Sequence, residues 1–190
     1  MNIRVLSLDI SSVSTGWSIY DGKNFTGGTI LLDKKIDKVV KLQKFRKALT
    51  DILVKEKPTH IVIEAVFMGI NVKTIKILSE FSGVAQECCF STTNVTAYVV
   101  ENTTVKSFFK TRKKEELYYF VLSIFDLEEK DDMPFKTNND IIDSIAQNIY
   151  YCDIVLNYIE FRIETEYGYK YSVNKSKFVK IIGDTDGKRN

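Results

Sequence analysis

Four carboxylates in this sequence stand where a folded chain can bring metal ligands together. Asp9 falls late in one apolar run and Glu64 closes a second. Asp140 and Asp143 are three residues apart at the start of a predicted helix, so they share one of its faces. Burying several carboxylates together costs several kcal/mol per ion unless cations neutralise them. The four acids therefore predict a site for a hard, oxygen-liganded cation such as Mg²⁺.

Each of these acids also has an ordinary structural explanation when it is taken alone. Asp9 is suited to capping the turn that follows it, and Asp140 is suited to complementing a helix dipole from the first turn. Glu64 is harder to explain in this way, because it ends a buried strand at the sheet edge where active sites of α/β proteins lie. Asp143 shares its helix face with apolar residues. Taken together, the four acids favour the metal site.

The overall composition is that of a soluble globular protein. The 190 residues are 44% hydrophobic and 27% charged, which is sufficient for one domain with a full core. No apolar run reaches the ~18 residues of a membrane span, and Asp9 interrupts any signal-peptide core, so we expect a cytoplasmic protein. Three cysteines without CxxC spacing predict reduced thiols, which exclude a disulfide framework or zinc site.

Basic residues are concentrated in two segments although the net charge is only +2. Residues 34–47 contain seven basic residues and one acid, and residues 106–114 contain five basic residues and no acid. Such stretches can contact phosphates, but a charge run is also compatible with a solvated helix face. Both interpretations stay open for 34–47, and phosphate contact is favoured for 106–114.

Apolar periodicity predicts an α/β domain with a mixed five-stranded central sheet flanked by helices. The predicted strands are 3–9, 17–20, 24–32, 60–64 and 95–100. The predicted helices are 34–56, 72–89, 102–109, 115–125 and 140–157. Residues 1–157 form the expected domain, and the extension 158–190 is expected to contain a small hairpin that packs on or flanks it.

Two helices carry more specific expectations. In helix 34–56 the apolar face is predicted to include Val39 and Val40, with lysines on the outer face. Asn71 is a candidate N-cap for the next helix. Gly83 costs up to ~1 kcal/mol inside a helix relative to Ala. Close approach of another helix, including one from a second subunit, would explain it.

Other catalytic arrangements are excluded by composition. The lone histidine, His60, precedes a strand and is interpreted as structural. With one histidine placed there, neither a Ser-His-Asp nor a Cys-His site can be assembled. No glycine-rich phosphate-binding loop of the P-loop type occurs.

Three segments of the sequence resemble the RuvC family of Holliday junction resolvases. The first is 7–16, with its strand and Asp-containing turn. The second is 63–71, continued by 82–85, and its glutamate followed by Val-Phe-Met is the most specific part. The third is 139–146, similar to the family's closing helix with acids at i and i+3. The order and spacing fit along residues 3–150.

The resemblance implies an RNase H-like fold, a homodimer and a metal-dependent endonuclease that resolves Holliday junctions and other branched DNA by paired nicks. It implies that Asp9, Glu64, Asp140 and Asp143 bind two Mg²⁺ ions, with Mn²⁺ as a substitute. These ions would activate water for attack on a phosphodiester and leave 5′-phosphate ends.

The resemblance also implies DNA contacts. Lys106 and Lys114 match two phosphate-binding lysines of the family, although the shortened spacing makes Lys113 a competitor for Lys114. Phe67 matches an aromatic suited to stacking on bases at an opened branch point, with a core position as the alternative. The candidate DNA contacts are Phe67, Lys106, Lys110, Arg112, Lys113 and Lys114.

Departures from the family pattern are also present. The usual Pro-Gly after the first Asp is Ile10-Ser11, and residues 158–190 have no counterpart. The composition, rich in Lys, Ile and Asn, is typical of an AT-rich genome and resembles the phage branch of the family in low-GC Gram-positive hosts, lactococcal phages among them. Such a protein would act in the bacterial host cytoplasm. The alternatives are an RNase H-like nuclease acting on structured RNA, a branched-DNA binding protein that does not cleave, and a fragment of the sugar kinase and actin-like ATPase fold.

Overall fold

The structure, a computed structural model, describes residues 3–67, 71–125, 135–158 and 178–180. Their strands form one mixed sheet in the order β5-β4-β1-β2-β3-β6. Strands β1 to β3 are an antiparallel meander, whereas β4 runs parallel to β1, β5 parallel to β4, and β6 parallel to β3. The strand bounds are β1 Val5–Asp9, β2 Ser14–Tyr20, β3 Phe25–Leu31, β4 His60–Glu64, β5 Tyr98–Val100 and β6 Phe178–Lys180. The five predicted strands and the mixed sheet are confirmed, and β6 is an additional edge strand.

Helices cover both faces of this sheet. One face packs on α1 and α2, and the other packs on α5, which lies across β1 and β2 and is covered by α4. The helix bounds are α1 Lys38–Glu56, α2 Val72–Thr93, α3 Asn102–Phe108, α4 Lys114–Ile124 and α5 Phe135–Tyr150, with a π-helical turn at Tyr151–Val155. The predicted C-terminal hairpin lies outside the described residues.

Strand alternation determines which side chains face α5. In β1, Leu6 and Leu8 join the core under α1 and α2, so Val5 and Ser7 face α5. The same alternation directs the side chain of Asp9 to the α5 face. In β4, Val62 belongs to the core on the α5 side and Glu64 follows it by two residues. Because β1 and β4 are parallel neighbours, both acids end at the same edge of the sheet, above α5.

The beginning of α1 differs from its prediction. The Asp37 side chain accepts a hydrogen bond of 2.8 Å from the Val39 amide and starts the helix four residues later than predicted. Val39 and Val40 are exposed, at 57% and 41%, so their assignment to the buried face is wrong. The buried residues of this helix begin only at Phe45, and in its first two turns Leu42 packs partly buried against the core while Val39 and Val40 face away.

Two further expectations change in the structure. Helix α5 begins at Phe135, so Asp140 and Asp143 lie in its interior and not in its first turn. Phe135 follows Pro134 in the sequence, and proline is favoured at helix starts.

The Asn71 side chain does cap α2, as predicted, by accepting from the amides of Lys73 and Thr74. A methyl group on Gly83 would meet no atom within 4 Å, so no helix of the described chain approaches it.

Candidate metal centre

Three of the four predicted acids converge at the junction of β1 and α5. One carboxylate oxygen from each of Asp9, Asp140 and Asp143 lies within 4.8 Å of the corresponding oxygens of the other two. Asp9 and Asp140 are partly buried and Asp143 is 4% exposed. Asp140 and Asp143 face the end of β1 because a spacing of three residues places them on one side of the helix. Carboxylate oxygens at this separation form a donor set suited to Mg²⁺ or Mn²⁺.

Glu64 borders this group from the neighbouring strand. Its Oε2 atom accepts hydrogen bonds from Gln147 Nε2 at 2.8 Å and from Asn102 Nδ2 at 3.0 Å. Glu64 is close enough to Asp9 for its charge to raise the pKa of the Asp9 carboxyl, second only to burial. The predicted set of four is thus brought together, with Glu64 at one side of the cluster.

The electrostatics of the site oppose ionisation of its acids. Burial, followed by the charges of Glu64 and Asp143, raises the pKa of Asp9 well above its ordinary value. Burial also raises the pKa of Glu64, although the amide hydrogen bonds to its carboxylate act in the opposite direction. Burial likewise raises the pKa of Asp143, although the neighbouring Lys114 ammonium opposes this rise. Within the described residues, Asp9 has no hydrogen-bond donor for its carboxylate. The ionised acids would therefore be stabilised by nearby positive charge, such as that of a divalent cation.

Lys114 provides part of that charge within the chain. Its Nζ atom lies 2.6 Å from Asp143 Oδ2 and 3.5 Å from Asp140 Oδ1. Burial alone would lower the pKa of Lys114, but the surrounding charges of Asp143, Asp9 and Asp140 outweigh it and raise that pKa to about 12. Of the two competing lysines, Lys114 reaches the acids, whereas Lys113 is exposed at the N-terminal boundary of α4.

Two features of β2 hold α5 against the sheet at the acids. Ser14 Oγ donates a hydrogen bond of 2.6 Å to Asp140 Oδ2. Gly16 pairs with Asp9 in the β1–β2 ladder, and a methyl group built on Gly16 would overlap the carbonyl oxygen of Asp140. The absence of a side chain at Gly16 therefore allows the helix backbone to approach the strand that faces Asp9.

The remaining DNA-contact candidates lie around this site or on exposed surface. Phe67 is 67% exposed shortly after Glu64, so the alternative of a core position is wrong. Lys106 is partly buried, and its charge opposes the burial-driven rise in the pKa of Asp143. Lys110 and Arg112 are exposed in the turn between α3 and α4.

Three polar residues of the site were not predicted from the sequence. Ser14 contacts Asp140, and Asn102 and Gln147 contact Glu64. One feature of the sequence could have identified Gln147 as part of the site. It lies one helical turn after Asp143, among apolar residues of the predicted helix. A polar side chain at such a position needs a buried partner.

Other expectations concern residues away from the acids. His60 is half-buried and contacts Thr59 Oγ1 at 3.0 Å, as fits a structural role. The three cysteines are free and buried, in agreement with the predicted reduced thiols. Within the described ranges, no helix has both the length and the apolar character needed to span a membrane.

Comparison with known proteins identifies the fold. No protein-family model and no curated protein sequence matches the chain. Thermus thermophilus RuvC in complex with a Holliday junction substrate aligns with 82% of this chain and 97% of its own, at a TM-score of 0.67 and 14% identity. A second T. thermophilus RuvC structure aligns with 80% of this chain and 97% of its own, at a TM-score of 0.64 and 14% identity.

A third similar structure is the yeast mitochondrial Holliday junction resolvase Ydc2. It aligns over 77% of this chain and 76% of its own, with a TM-score of 0.54 and 11% identity. The chain therefore has the RNase H-like fold, in the arrangement seen in the RuvC structures. At these identities the likeness defines the fold, and the chemistry has to be argued from the acids themselves.

Proposed function

We propose that this protein is a metal-dependent, structure-selective DNA endonuclease that resolves Holliday junctions and other branched DNA. The observation that carries the proposal is the convergence of Asp9, Asp140 and Asp143 within 4.8 Å, beside Glu64, at one edge of the sheet. The same fold occurs in T. thermophilus RuvC, which has been solved with a Holliday junction substrate. A protein that only binds DNA gains nothing from buried carboxylates facing phosphates.

In this proposal Asp9, Glu64, Asp140 and Asp143 would hold two Mg²⁺ ions, with Mn²⁺ as a substitute, and the ions would supply water activation and charge stabilisation for phosphodiester hydrolysis. The residues of the chain do the positioning. Ser14 orients Asp140 through its 2.6 Å hydrogen bond, and the amides on Glu64 fix that carboxylate. Cleavage leaves a 5′-phosphate and a 3′-hydroxyl.

Basic and aromatic side chains around the acids provide the proposed DNA surface. Lys106 and Lys114 lie beside the carboxylates, where they can contact the phosphates next to the scissile bond. Lys110, Arg112 and Lys113 extend positive charge along the exposed turn and the start of α4. Phe67, exposed at the same edge of the sheet, is placed to stack on an unpaired base at the branch point.

We further propose that two copies act together, because paired nicks across a branch need two sites. Helix α2 is a suitable interface. Val72 and Phe90 are exposed apolar residues on it, and the space beside Gly83 is open. The proposal also includes residues 1–157 as the nuclease domain with 158–190 as its extension. It further includes a phage origin in a low-GC Gram-positive host and action in the host cytoplasm, supported by a composition rich in Lys, Ile and Asn.

The direct test is cleavage of a synthetic four-way junction by Asp143→Asn with Mg²⁺. We expect loss of cutting with junction binding retained, because the substitution removes one ligand without changing the size of the side chain. Asp51→Asn, at an exposed position of α1, is the matched control and should cut like the wild type. Wild-type cutting by Asp143→Asn would show that the metal-site assignment is wrong.

The substrate is tested by offering junction, fork, flap, linear duplex and structured RNA to the same preparation. Preference for the branched DNAs supports the proposal, and preference for the RNA would replace it with a ribonuclease. Binding of the junction without metal-dependent nicking would identify a binding protein. Product mapping on a junction with a movable core would then report whether the two nicks are symmetric and sequence-dependent.

A further inference from the structure

The Glu64 carboxylate is held asymmetrically. Both amide donors that reach it, Gln147 Nε2 at 2.8 Å and Asn102 Nδ2 at 3.0 Å, bond to the same oxygen, Oε2. Within the described residues, Oε1 accepts no hydrogen bond. Two donors on one oxygen fix the rotation of the carboxylate and leave the other oxygen for a different partner.

The orientation of Gln147 is itself fixed from the sheet. Ser7 Oγ donates to Gln147 Oε1 at 2.9 Å, and the two residues are 0% and 1% exposed. A flipped amide would turn its carbonyl oxygen towards the Glu64 carboxylate and leave two acceptors facing each other. The hydrogen bonds from Ser7 to Gln147 and from Gln147 to Glu64 therefore allow one orientation of the Gln147 amide while Glu64 is ionised.

We propose that Gln147 is a positioning residue that holds Glu64 with Oε1 turned to the metal site. The inference rests on the proposed function, because it requires Glu64 to be a metal ligand. A neutral amide orients this carboxylate without cancelling its charge, so the demand for a cation is kept. Loss of such a partner behind a ligand typically weakens metal affinity about 10- to 100-fold.

The neighbouring residue provides a matched control. Asn148 is as buried as Gln147, at 0% exposure, and also ties α5 to the sheet. Its Nδ2 atom donates to the carbonyl oxygen of Val5 at 2.8 Å and lies 3.4 Å from that of Ser18. Since these partners are not acids, Asn148 has the structural part of the role without the contact to Glu64.

The experiment compares Gln147→Met with Asn148→Leu, two substitutions that keep approximate volume and remove a buried amide. Urea unfolding measures stability, and calorimetry with Mn²⁺ and with Ca²⁺ measures ion affinity. Both variants should lose stability, and only Gln147→Met should bind ions about 10- to 100-fold more weakly. Unchanged ion affinity in Gln147→Met, or equal loss in both variants, would overturn the positioning role.

A double variant separates positioning from folding. Gln147→Met leaves the buried Ser7 hydroxyl without its acceptor, whereas Ser7→Ala with Gln147→Met removes both partners and should recover most of the lost stability. Ion affinity should stay low in the double variant, because Glu64 still lacks its donor. Recovery of affinity together with stability would mean that Gln147 is only structural. The double variant also carries the test if Gln147→Met alone does not fold.

The wild-type measurement separates this inference from the proposed function. If the wild type binds no divalent ion, the metal site and the role of Gln147 fail together. If the wild type binds ions and cuts junctions while Gln147→Met binds them equally well, the proposed function stands and the positioning role is wrong.

Discussion

The Lys114 ammonium forms an ion pair with Asp143, with Nζ 2.6 Å from Oδ2. This pair joins α4 to α5 at the acid cluster, where Asp140 lies 3.5 Å from the same nitrogen. Two carboxylates thus share one ammonium group, and Asp9 and Glu64 add further negative charge nearby, which leaves a negative balance when all four acids are ionised. The arrangement partly neutralises the acids in the metal-free protein and leaves net negative charge that would attract a cation.

Removing this ammonium should destabilise the metal-free protein. Breaking a fully buried pair costs about 3–5 kcal/mol, and since the Lys114 side chain is 41% exposed we expect Lys114→Met to cost about 1–2 kcal/mol at pH 7. The pKa of Lys114 is raised to about 12 from 10.5, so on the alkaline side its stabilisation begins to fall above pH 10.5 and is lost through pH 12.

Urea unfolding in EDTA at pH 7 and pH 4 measures this effect. The cost should shrink at pH 4, because burial raises the pKa of Asp143 and a larger share of its carboxylate is protonated there than in an ordinary aspartate. Lys113→Met, one residue away and exposed, should leave stability within about 0.5 kcal/mol. Equal effects of the two substitutions would contradict the role of the ion pair.

Replacing Asp9 should stabilise the metal-free protein while abolishing cutting. The raised pKa of Asp9 means that the folded state binds more protons than the unfolded state above about pH 4, so stability falls as pH rises towards the folded pKa. Asp9→Asn cannot ionise, and we expect a gain of about 0.5–2 kcal/mol at pH 7 with little gain at pH 4. Chemical denaturation in EDTA at both pH values tests this. A variant that is less stable at pH 7 would show that burial and the neighbouring acids do not oppose ionisation of Asp9.

Divalent cations should raise the melting temperature of the wild type. An ion that binds only the folded state at 100 times its Kd adds about 2.7 kcal/mol of stability. The ion must displace protons from Asp9, Glu64 and Asp143, whose pKa values are raised. The rise in melting temperature should therefore shrink as the pH falls, and it should begin to shrink at a higher pH than for ordinary carboxylates, whose pKa is about 4. Melting curves with and without Mg²⁺ from pH 8 to 5 provide the measurement. Asp143→Asn serves as the control, and an equal rise in that variant would place the ion elsewhere.

Two glycines should respond to alanine with opposite signs. Gly16→Ala places a methyl group on the backbone of Asp140, which we expect to cost at least about 1–3 kcal/mol and to reduce cutting. Gly83→Ala fills open space in the interior of α2 and should gain up to about 1 kcal/mol in the monomer. Thermal unfolding of both variants gives the comparison. A neutral Gly16→Ala would mean that α5 can move away from the sheet without cost.

Removing the exposed aromatic next to Glu64 should affect DNA and leave the fold unchanged. Stacking of a base on an aromatic side chain contributes about 1–3 kcal/mol, so we expect Phe67→Ala to weaken junction processing about 10-fold or more. Its stability and ion affinity should match the wild type because Phe67 is 67% exposed. A fluorescent base analogue at the branch point would report stacking. Tyr158→Ala, another exposed aromatic, is the control, and an equal loss there would argue against a specific role for Phe67.

The convergence of Asp9 and Glu64 was predictable from the sequence because both close buried strands. Parallel pairing of β1 with β4 then brings the two strand ends to one edge. Apolar periodicity placed the five strands and main helices, but it cannot tell which apolar residues lie beyond the packed part of a helix. Val39 and Val40 show this limit, since the fully buried residues of α1 begin only at Phe45.

The polar contacts that orient the acids were not predictable in the same way. Gln147 meets Glu64 across 83 residues, Ser14 meets Asp140 across 126, and Asn102 meets Glu64 across 38. Each contact depends on the distance between a helix and a strand, which local sequence patterns do not encode. Serine, asparagine and glutamine are also common at surfaces, so residue type alone did not distinguish them.

At Gly16 the backbone of α5 rests against β2, opposite Asp9. The gap between the strand-borne carboxylate and the two helix-borne ones is therefore set by main-chain contact, which is much stiffer than a side chain. Magnesium–oxygen distances are about 2.0–2.1 Å and calcium–oxygen distances about 2.3–2.6 Å. A gap set in this way would favour cations of one ionic radius over another. The missing methyl group at Gly16 would thus contribute to a choice between cations that carboxylate ligands by themselves bind alike.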